Sequence, residues 1–284
     1  MTNRPDLPFA VIGATGQQGG ATALALLAAG AGVRALVRDP GAGTARGLAA
    51  EGATLARADI ENPASLRAAF AGVAGVFAVT TPYTGVEAET QHGVDIADAA
   101  EAAGVPHLVF SSVGGADRKT GIPHFESKRR VEEHLESLEL PTTIIRPVFF
   151  MDNFARFAAP PEEDGMLVVR LPLPAGIPLQ MVAVADIGVV ATAALLDPSR
   201  VPGGAVEIAG AELTGEEIAE TYAKVTGKPS RFEALPLSVL DGDGDQRAMF
   251  AWLAEPPAYR ADFSLTRALA PGVRDFATWL AERP

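Results

Sequence analysis

The chain has 284 residues, 48% of them hydrophobic and 20% charged, with a formal charge of −12 and no cysteine. That balance is globular, and it excludes a broad electrostatic grip on nucleic acid or an anionic membrane, which needs clustered Lys and Arg. Disulfides, thiolate metal sites and cysteine nucleophiles are excluded together, which suits a reducing compartment, and a cytoplasmic location is expected. The opening MTNRPDLPFAVIG has no long apolar stretch behind a basic start, so no secretory signal is expected there. Nowhere do eighteen apolar residues run together, so no membrane span is expected either.

In chain order, residues 9–13 read as a strand and 17–29 as a helix. A strand over 33–38, a helix over 43–50 and a strand over 53–57 follow. Asn62 before Pro63 signals the start of a helix over 63–70, with Asn as N-cap and Pro at the first helical position. Strands over 73–80, 107–111 and 142–146 alternate with helices over 87–103 and 125–138. These strands are short and apolar throughout, without alternation, which indicates a parallel sheet covered on both faces and wound by right-handed crossovers. The expected fold is therefore a doubly wound α/β sheet.

The pattern changes after Arg146. Residues 148–178 carry Pro160, Pro161, Pro172, Pro174 and Pro178 and read as an irregular lid. A strand over 181–184 and an N-capped helix over 186–196 read as a return to the main domain. Thr214 and Glu217 form a capping box ahead of Ile218, Tyr222 and Val225. An amphipathic helix over 273–281 closes the chain. The expected division is a nucleotide-binding part over 1–148, joined by the returning elements, and a smaller α+β substrate domain over 149–284, set beside the strand ends where doubly wound sheets bind ligands.

The glycines at 13, 16 and 19 stand between the first strand and the first helix. Gly13 permits a sharp turn, Gly16 lets backbone approach a pyrophosphate, and Gly19 lets helix and sheet pack closely. The amides and positive end of that helix then meet phosphate charge, so Gly13, Thr15, Gly16, Gln17, Gln18 and Gly19 are expected to hold a dinucleotide. At the tip of the second strand stands Arg38, whose guanidinium suits a 2′-phosphate, so NADP is favoured over NAD. Asp39 follows at once and keeps NAD open if the register moves by one residue. Asp59, with Ile60 beside it, stands where an adenine amino group is read, or is simply an exposed turn acid before Asn62.

With these residues in place, the chain resembles the NmrA-like group of atypical short-chain dehydrogenase/reductases, which have a Rossmann fold. The resemblance rests on GATGQQGG at 13–20, VRDP at 37–40, ADIEN at 58–62, FAVTTP at 77–82, LVFSSVGG at 108–115, HFESK at 124–128 and IIRPVFFMDNF at 144–154. LTGEEIAE at 213–220 and Phe276 to Leu280 extend it into the tail. The glycine loop is common to many dehydrogenases, whereas HFESK followed by RPVFFMDNF is much more specific. Relatives include isoflavone-reductase-like enzymes, NADPH-dependent quinone reductases and cofactor-sensing regulators without turnover.

The wider superfamily carries Tyr-x-x-x-Lys, in which the lysine lowers the phenol's pKa and the tyrosine protonates the developing alkoxide. Here the pair is His124 and Lys128, one turn apart on one helical face. His124 reads as a substitute acid, as a hydrogen-bonding partner of substrate or nicotinamide, or as an ordinary helix-start residue. A neighbouring Lys128 cation would keep it mostly neutral at pH 7. The resemblance implies that Lys128 holds the nicotinamide ribose or acts as acid/base; in the run with Arg129 and Arg130 it also reads as a solvated surface lysine. Ser111 and Ser112 end the fifth strand, either facing a substrate carbonyl or closing a turn. By resemblance, Thr80, Thr81 and Pro82 line the ribose and nicotinamide, with Tyr83 as a reserve proton donor. Pro147, Val148, Phe149, Phe150 and Asn153 run along the nicotinamide half, the two phenylalanines shielding the ring or packing the core.

Other signals fail. Asp241, Asp243 and Asp245 begin like a calcium loop but have Trp252 where the closing acid belongs, so they read as a turn, and scattered histidines make a metal site improbable. FSSVG at 110–114 lacks the leading Gly of a nucleophile elbow. Two functions remain. One is an NADPH-dependent oxidoreductase delivering hydride to a small carbonyl, quinone or conjugated alkene. The other is a non-catalytic NADP(H) sensor acting through a protein partner. The first is favoured, with a small-molecule substrate, no nucleic acid, no membrane, and a monomer or homodimer as the state.

Overall fold

The computed structural model describes residues 7–283, apart from the side chain of Thr84. Residues 1–6, where the reading of a signal began, lie outside the described residues. The first half alternates β1 (Phe9–Val11), α1 (Gln17–Ala28), β2 (Val33–Val37), α2 (Gly43–Ala50), β3 (Thr54–Arg57) and α3 (Pro63–Phe70). It continues with β4 (Gly75–Val79), α4 (Val86–Ala102), β5 (Leu108–Ser111), α5 (Pro123–Ser137) and β6 (Thr142–Pro147). The second half holds β7 (Phe149–Phe150), β8 (Glu162–Glu163), β9 (Met166–Leu171), β10 (Leu179–Val182), α6 (Val184–Leu196) and β11 (Ala205–Ile208). It ends with β12 (Ala211–Leu213), α7 (Gly215–Thr226), β13 (Ser230–Ala234), α8 (Gly244–Leu253), α9 (Phe263–Leu269) and α10 (Phe276–Ala281). Among the described residues no helix is long and apolar enough to cross a membrane.

Seven strands form one parallel sheet in the order β11-β6-β5-β4-β1-β2-β3. Successive side chains of a strand point to opposite faces, and both faces are buried here. Val11, Phe77, Val109 and Ile145 face one core with Ala23 and Leu26 of α1 and Ile187 and Val190 of α6. Ala10, Ile12, Val76 and Phe110 face the other, with Leu66 and Phe70 of α3, Ile96 of α4 and Val131 of α5. That two-sided burial is why the strands are apolar throughout, and it yields the doubly wound architecture. Asn62 caps α3 by accepting the Ser65 N–H at 3.2 Å, and Thr214 and Glu217 close the capping box on α7. Because the strand order reverses between β1 and β4, their carboxyl ends open a crevice at the glycine loop.

The second half departs from expectation in the caps of two helices and in its Pro-rich segment. The strand read over 181–184 is β10, which pairs with β12 and β7 in a small separate sheet; the seventh strand of the main sheet is β11, alongside β6. The helix that follows β10 does lie on the main sheet, against α1, but its N-cap is Ala183. The missing cap comes from Asp152, which accepts the Val184 N–H at 2.9 Å, while Asp186 accepts from the Arg274 backbone. The Pro-rich 148–178 is also more regular than expected. Met166–Leu171 pairs in parallel with Ser230–Ala234, and Pro160, Pro161, Pro172 and Pro174 stand outside the strand, where no ladder donor is needed. Finally, α10 begins only after Asp275, whose carboxylate caps Thr278 at 2.7 Å.

Candidate functional site

A cavity of about 670 Å³ opens at the crevice, within the size range of ligand sites. Its floor is the glycine loop, where Gly13 takes φ +65°. A Cβ on Gly19 would lie 2.2 Å from the Gly13 carbonyl oxygen, so α1 reaches the loop only because that side chain is missing. The N-cap of α1 is Gly16, with no side-chain cap and no acid in the first turn, so the positive end of the helix faces the cavity without an internal anion. Thr15, Gln17 and Gln18 line the cavity beside these glycines, and Ile60 borders it on the side of β3.

Lys128, on α5, enters from the opposite wall. It is buried, and its ammonium donates to the Thr80 carbonyl and the Thr80 hydroxyl, each at 2.8 Å, and pairs with Glu89 Oε1 at 3.1 Å. Three N–H groups thus meet three acceptors. Glu89, on α4, is wholly buried and also accepts from the Thr80 hydroxyl at 3.1 Å and from Ser127 at 2.5 Å. Burial pushes the Lys128 pKa down, and the Glu89 carboxylate opposes that shift. Its neighbours in sequence behave differently: Arg129 pairs with Glu132, Glu133 and Glu136, and Arg130 is exposed. The surface-lysine reading of Lys128 is therefore corrected, because its helical face points into the protein.

His124, also on α5, lines the cavity with its Nδ1 2.6 Å from Asp245 Oδ2 on α8. Asp245 Oδ1 accepts the His124 backbone N–H at 2.9 Å and so caps α5, whose N-cap residue Ile122 has no side-chain acceptor. The charge beside the imidazole is this carboxylate. Ser111 and Ser112 diverge, as adjacent residues at a strand end must. Ser111 donates to Gln18 Oε1 at 2.6 Å and does not line the cavity. Ser112 lines it, and its buried hydroxyl has no partner among the described residues.

Thr80, Thr81 and Pro82 form one ledge and Pro147, Val148, Phe149, Phe150 and Asn153 the other. Phe149 both lines the cavity and packs edge-on against Phe154 and Phe250, so its core and site readings hold together. Tyr83 stands at the rim, 93% exposed, with no hydrogen bond to its hydroxyl among the described residues. Arg38 and Asp59 lie outside the lining. Asp59 accepts the Glu61 N–H in a local turn at 3.2 Å, and Asp39 accepts that of Gly41 at 2.8 Å. Arg38 is exposed and has no ion pair among the described residues.

Several lining residues were invisible to sequence reasoning: His92, Arg156, Phe157, Asp245, Met249 and Tyr259, with Glu89 behind the wall. Asp245 belongs to the Asp241–Asp245 run read as a turn. Asp243 does cap α8 there, through the Gln246 N–H at 3.1 Å, while Asp245 reaches the cavity. Tyr259 is buried against Trp252, and burial together with the nearby Glu207 raises its pKa. Among the described residues no group of three or more His, Asp or Glu is placed to hold a metal ion.

Residues 8–252 match the NmrA-like family. The NmrA-like family domain-containing oxidoreductase FrzB of Cladobotryum sp is 33% identical over 254 residues, covering 79% of this chain and 75% of that protein. The NAD(P)H azoreductase of Xenophilus azovorans is 32% identical over 228 residues, covering 80% and 77%. Among solved structures, NmrA, a negative transcriptional regulator in complex with NAD, superposes with a TM-score of 0.85 at 22% identity, over 98% of this chain and 95% of that one.

Proposed function

The chain belongs to the NmrA-like family, and we propose that it is an NADPH-dependent oxidoreductase acting on a small carbonyl, quinone or conjugated alkene. The observation that carries this reading is the reach of the cavity. It runs from an uncapped helix end, suited to a diphosphate, to an unpartnered buried hydroxyl, Ser112, between aromatic walls. The residues present fit a nicotinamide dinucleotide: Gly13 to Gly19 for the diphosphate, Thr80 to Pro82 for the ribose with Lys128 fixing Thr80 from behind, and Pro147 to Phe150 with Asn153 for the ring. Arg38, free of acids while Asp39 is held in its turn, supports NADP over NAD. The oxidoreductase and azoreductase relatives support the reaction class.

When bound, the nicotinamide supplies a hydride. The protein's own part is to orient the acceptor and meet the charge that develops on it. Ser112 Oγ is the hydroxyl free to donate to an acceptor oxygen, and His124, with Nδ1 against Asp245, keeps Nε2 as the ring's remaining polar atom. Phe149, Phe150, Met249 and Tyr259 keep water from that end. A sensor without turnover would use the same cofactor contacts. It is favoured by one observation: all three N–H groups of Lys128 are bound inside the protein, which leaves it no proton donor directed at a substrate.

One experiment tests both readings. NADPH and NADH are titrated into the protein, and NADPH absorbance is then followed against a panel of quinones, azo compounds, enones and carbonyls. The expected result is tighter binding of NADPH, measurable turnover, and a loss of about a hundredfold in kcat for Ser112→Ala with cofactor affinity kept. Tight binding with no oxidation across the panel would establish the sensor instead.

A further inference from the structure

Arg156 follows the short 3-10 turn Met151–Ala155 that carries Asn153, and its own N–H donates to the Asn153 carbonyl at 3.0 Å. Its side chain lines the cavity from the second half of the chain. Arg156 is exposed and forms no ion pair among the described residues. What it does face is Gln17, the first residue of α1. With the Gln17 amide oxygen turned toward it, Arg156 donates Nε and Nη2 to that oxygen, each at 3.2 Å. The guanidinium therefore sits beside the first residue of α1, whose N-terminus has no side-chain cap and no acid in its first turn.

A guanidinium and a helix N-terminus brought side by side repel unless an anion binds both, and a planar guanidinium binds phosphate oxygens in pairs. We propose that Arg156 is a diphosphate clamp. On this reading, which rests on the dinucleotide function above, the guanidinium leaves the neutral Gln17 amide and takes the oxygens of the cofactor's diphosphate, closing the second half of the chain over the bound ligand. The ligand class is a dinucleotide diphosphate, with no preference between NADP and NAD, because the 2′-phosphate lies at the far end by Arg38.

The test is a binding titration, with four ligands: NADPH, NADH, ADP-ribose, and adenosine 2′-monophosphate, which has the 2′-phosphate but no phosphate at the 5′ position. Arg156→Ala is expected to weaken NADPH, NADH and ADP-ribose by the same factor, roughly tenfold for one charge-assisted contact in an exposed place. It is expected to leave adenosine 2′-monophosphate unchanged. Arg156→Lys, which keeps the charge but not the fork, falls between Ala and wild type. Arg38→Ala shows the converse pattern, losing NADPH and adenosine 2′-monophosphate while NADH holds. Unchanged NADPH affinity in Arg156→Ala, or equal weakening of adenosine 2′-monophosphate, overturns the clamp. Failure of the wild-type protein to bind any of the four instead overturns the dinucleotide reading itself.

Discussion

Lys128 and Glu89 are a buried ion pair in which each charge is tolerable only because of the other. Lys128 has given its water shell for Thr80 and Glu89, and the desolvation that lowers its pKa is offset chiefly by that one carboxylate. Glu89→Gln leaves the ammonium buried without a counterion, and the expected cost is about 3 kcal/mol or more in unfolding free energy. Adding Lys128→Met to that variant removes the stranded charge and is expected to recover part of the loss. Thermal or denaturant unfolding of the two singles and the double checks this, and a Glu89→Gln cost below about 1 kcal/mol would mean that Thr80 alone suffices. Lys128 is legible in the sequence because HFESK marks it. Glu89 is not, because α4 also carries Glu87, Asp95, Asp98 and Glu101, and nothing in their spacing tells which acid the fold turns inward. The divergence of Ser111 and Ser112 is of the same kind: their order is plain, but which hydroxyl meets Gln18 depends on the twist of β5 against α1.

At the scale of elements, α1 and α6 approach closely, and that approach depends on glycine. A Cβ at Gly188 would lie 2.4 Å from the Ala21 carbonyl carbon and 2.8 Å from the Thr22 nitrogen, both backbone atoms that cannot swing aside. Gly188→Ala should therefore separate the helices, although alanine is the better helix former, at a cost of about 1–3 kcal/mol. A lowered unfolding midpoint checks the direction, and a gain in stability would mean that propensity outweighs packing here. Since the start of α1 also lines the cavity, its displacement should weaken binding of the proposed dinucleotide as well. The first six strands and the helices between them were readable because each is a local apolar pattern bounded by Gly, Pro or a cap. The small sheets were not: β7 has two residues and β8 two, and β9 finds its partner in β13, far along the chain. The start of α5 shows the same limit, since its cap comes from Asp245 on another helix.

For the whole molecule, one buried group sets an acid boundary. His107, beside β5, bonds Thr143 through Nε2 at 3.0 Å while its Nδ1 has no partner among the described residues, and burial pushes its pKa down to about 4 from about 6.5. The folded state thus prefers the neutral ring. Its stability is complete above pH 6.5 and declines as pH falls toward 4, where the unfolded chain takes up a proton that the folded chain refuses. The loss is at most about 3 kcal/mol over that interval. His107→Gln should flatten this part of the pH profile relative to wild type when unfolding midpoints are compared from pH 7 to 4.5. An unchanged slope would assign the acid sensitivity to the carboxylates instead.

The position of β11 carries a consequence for the order in which the chain acquires its structure. Six strands of the main sheet are available once residue 147 has been made, but the outer side of β6 has no partner until residues 205–208 arrive. Through that interval the growing chain presents an open strand edge, the kind of surface on which chains add to one another. The residues that remain to be made are those that build the far wall of the cavity: Asp245, Met249 and Tyr259. Synthesis therefore finishes the glycine-loop end of the cavity first and the α8 wall last, and the interval of greatest aggregation risk falls between the two.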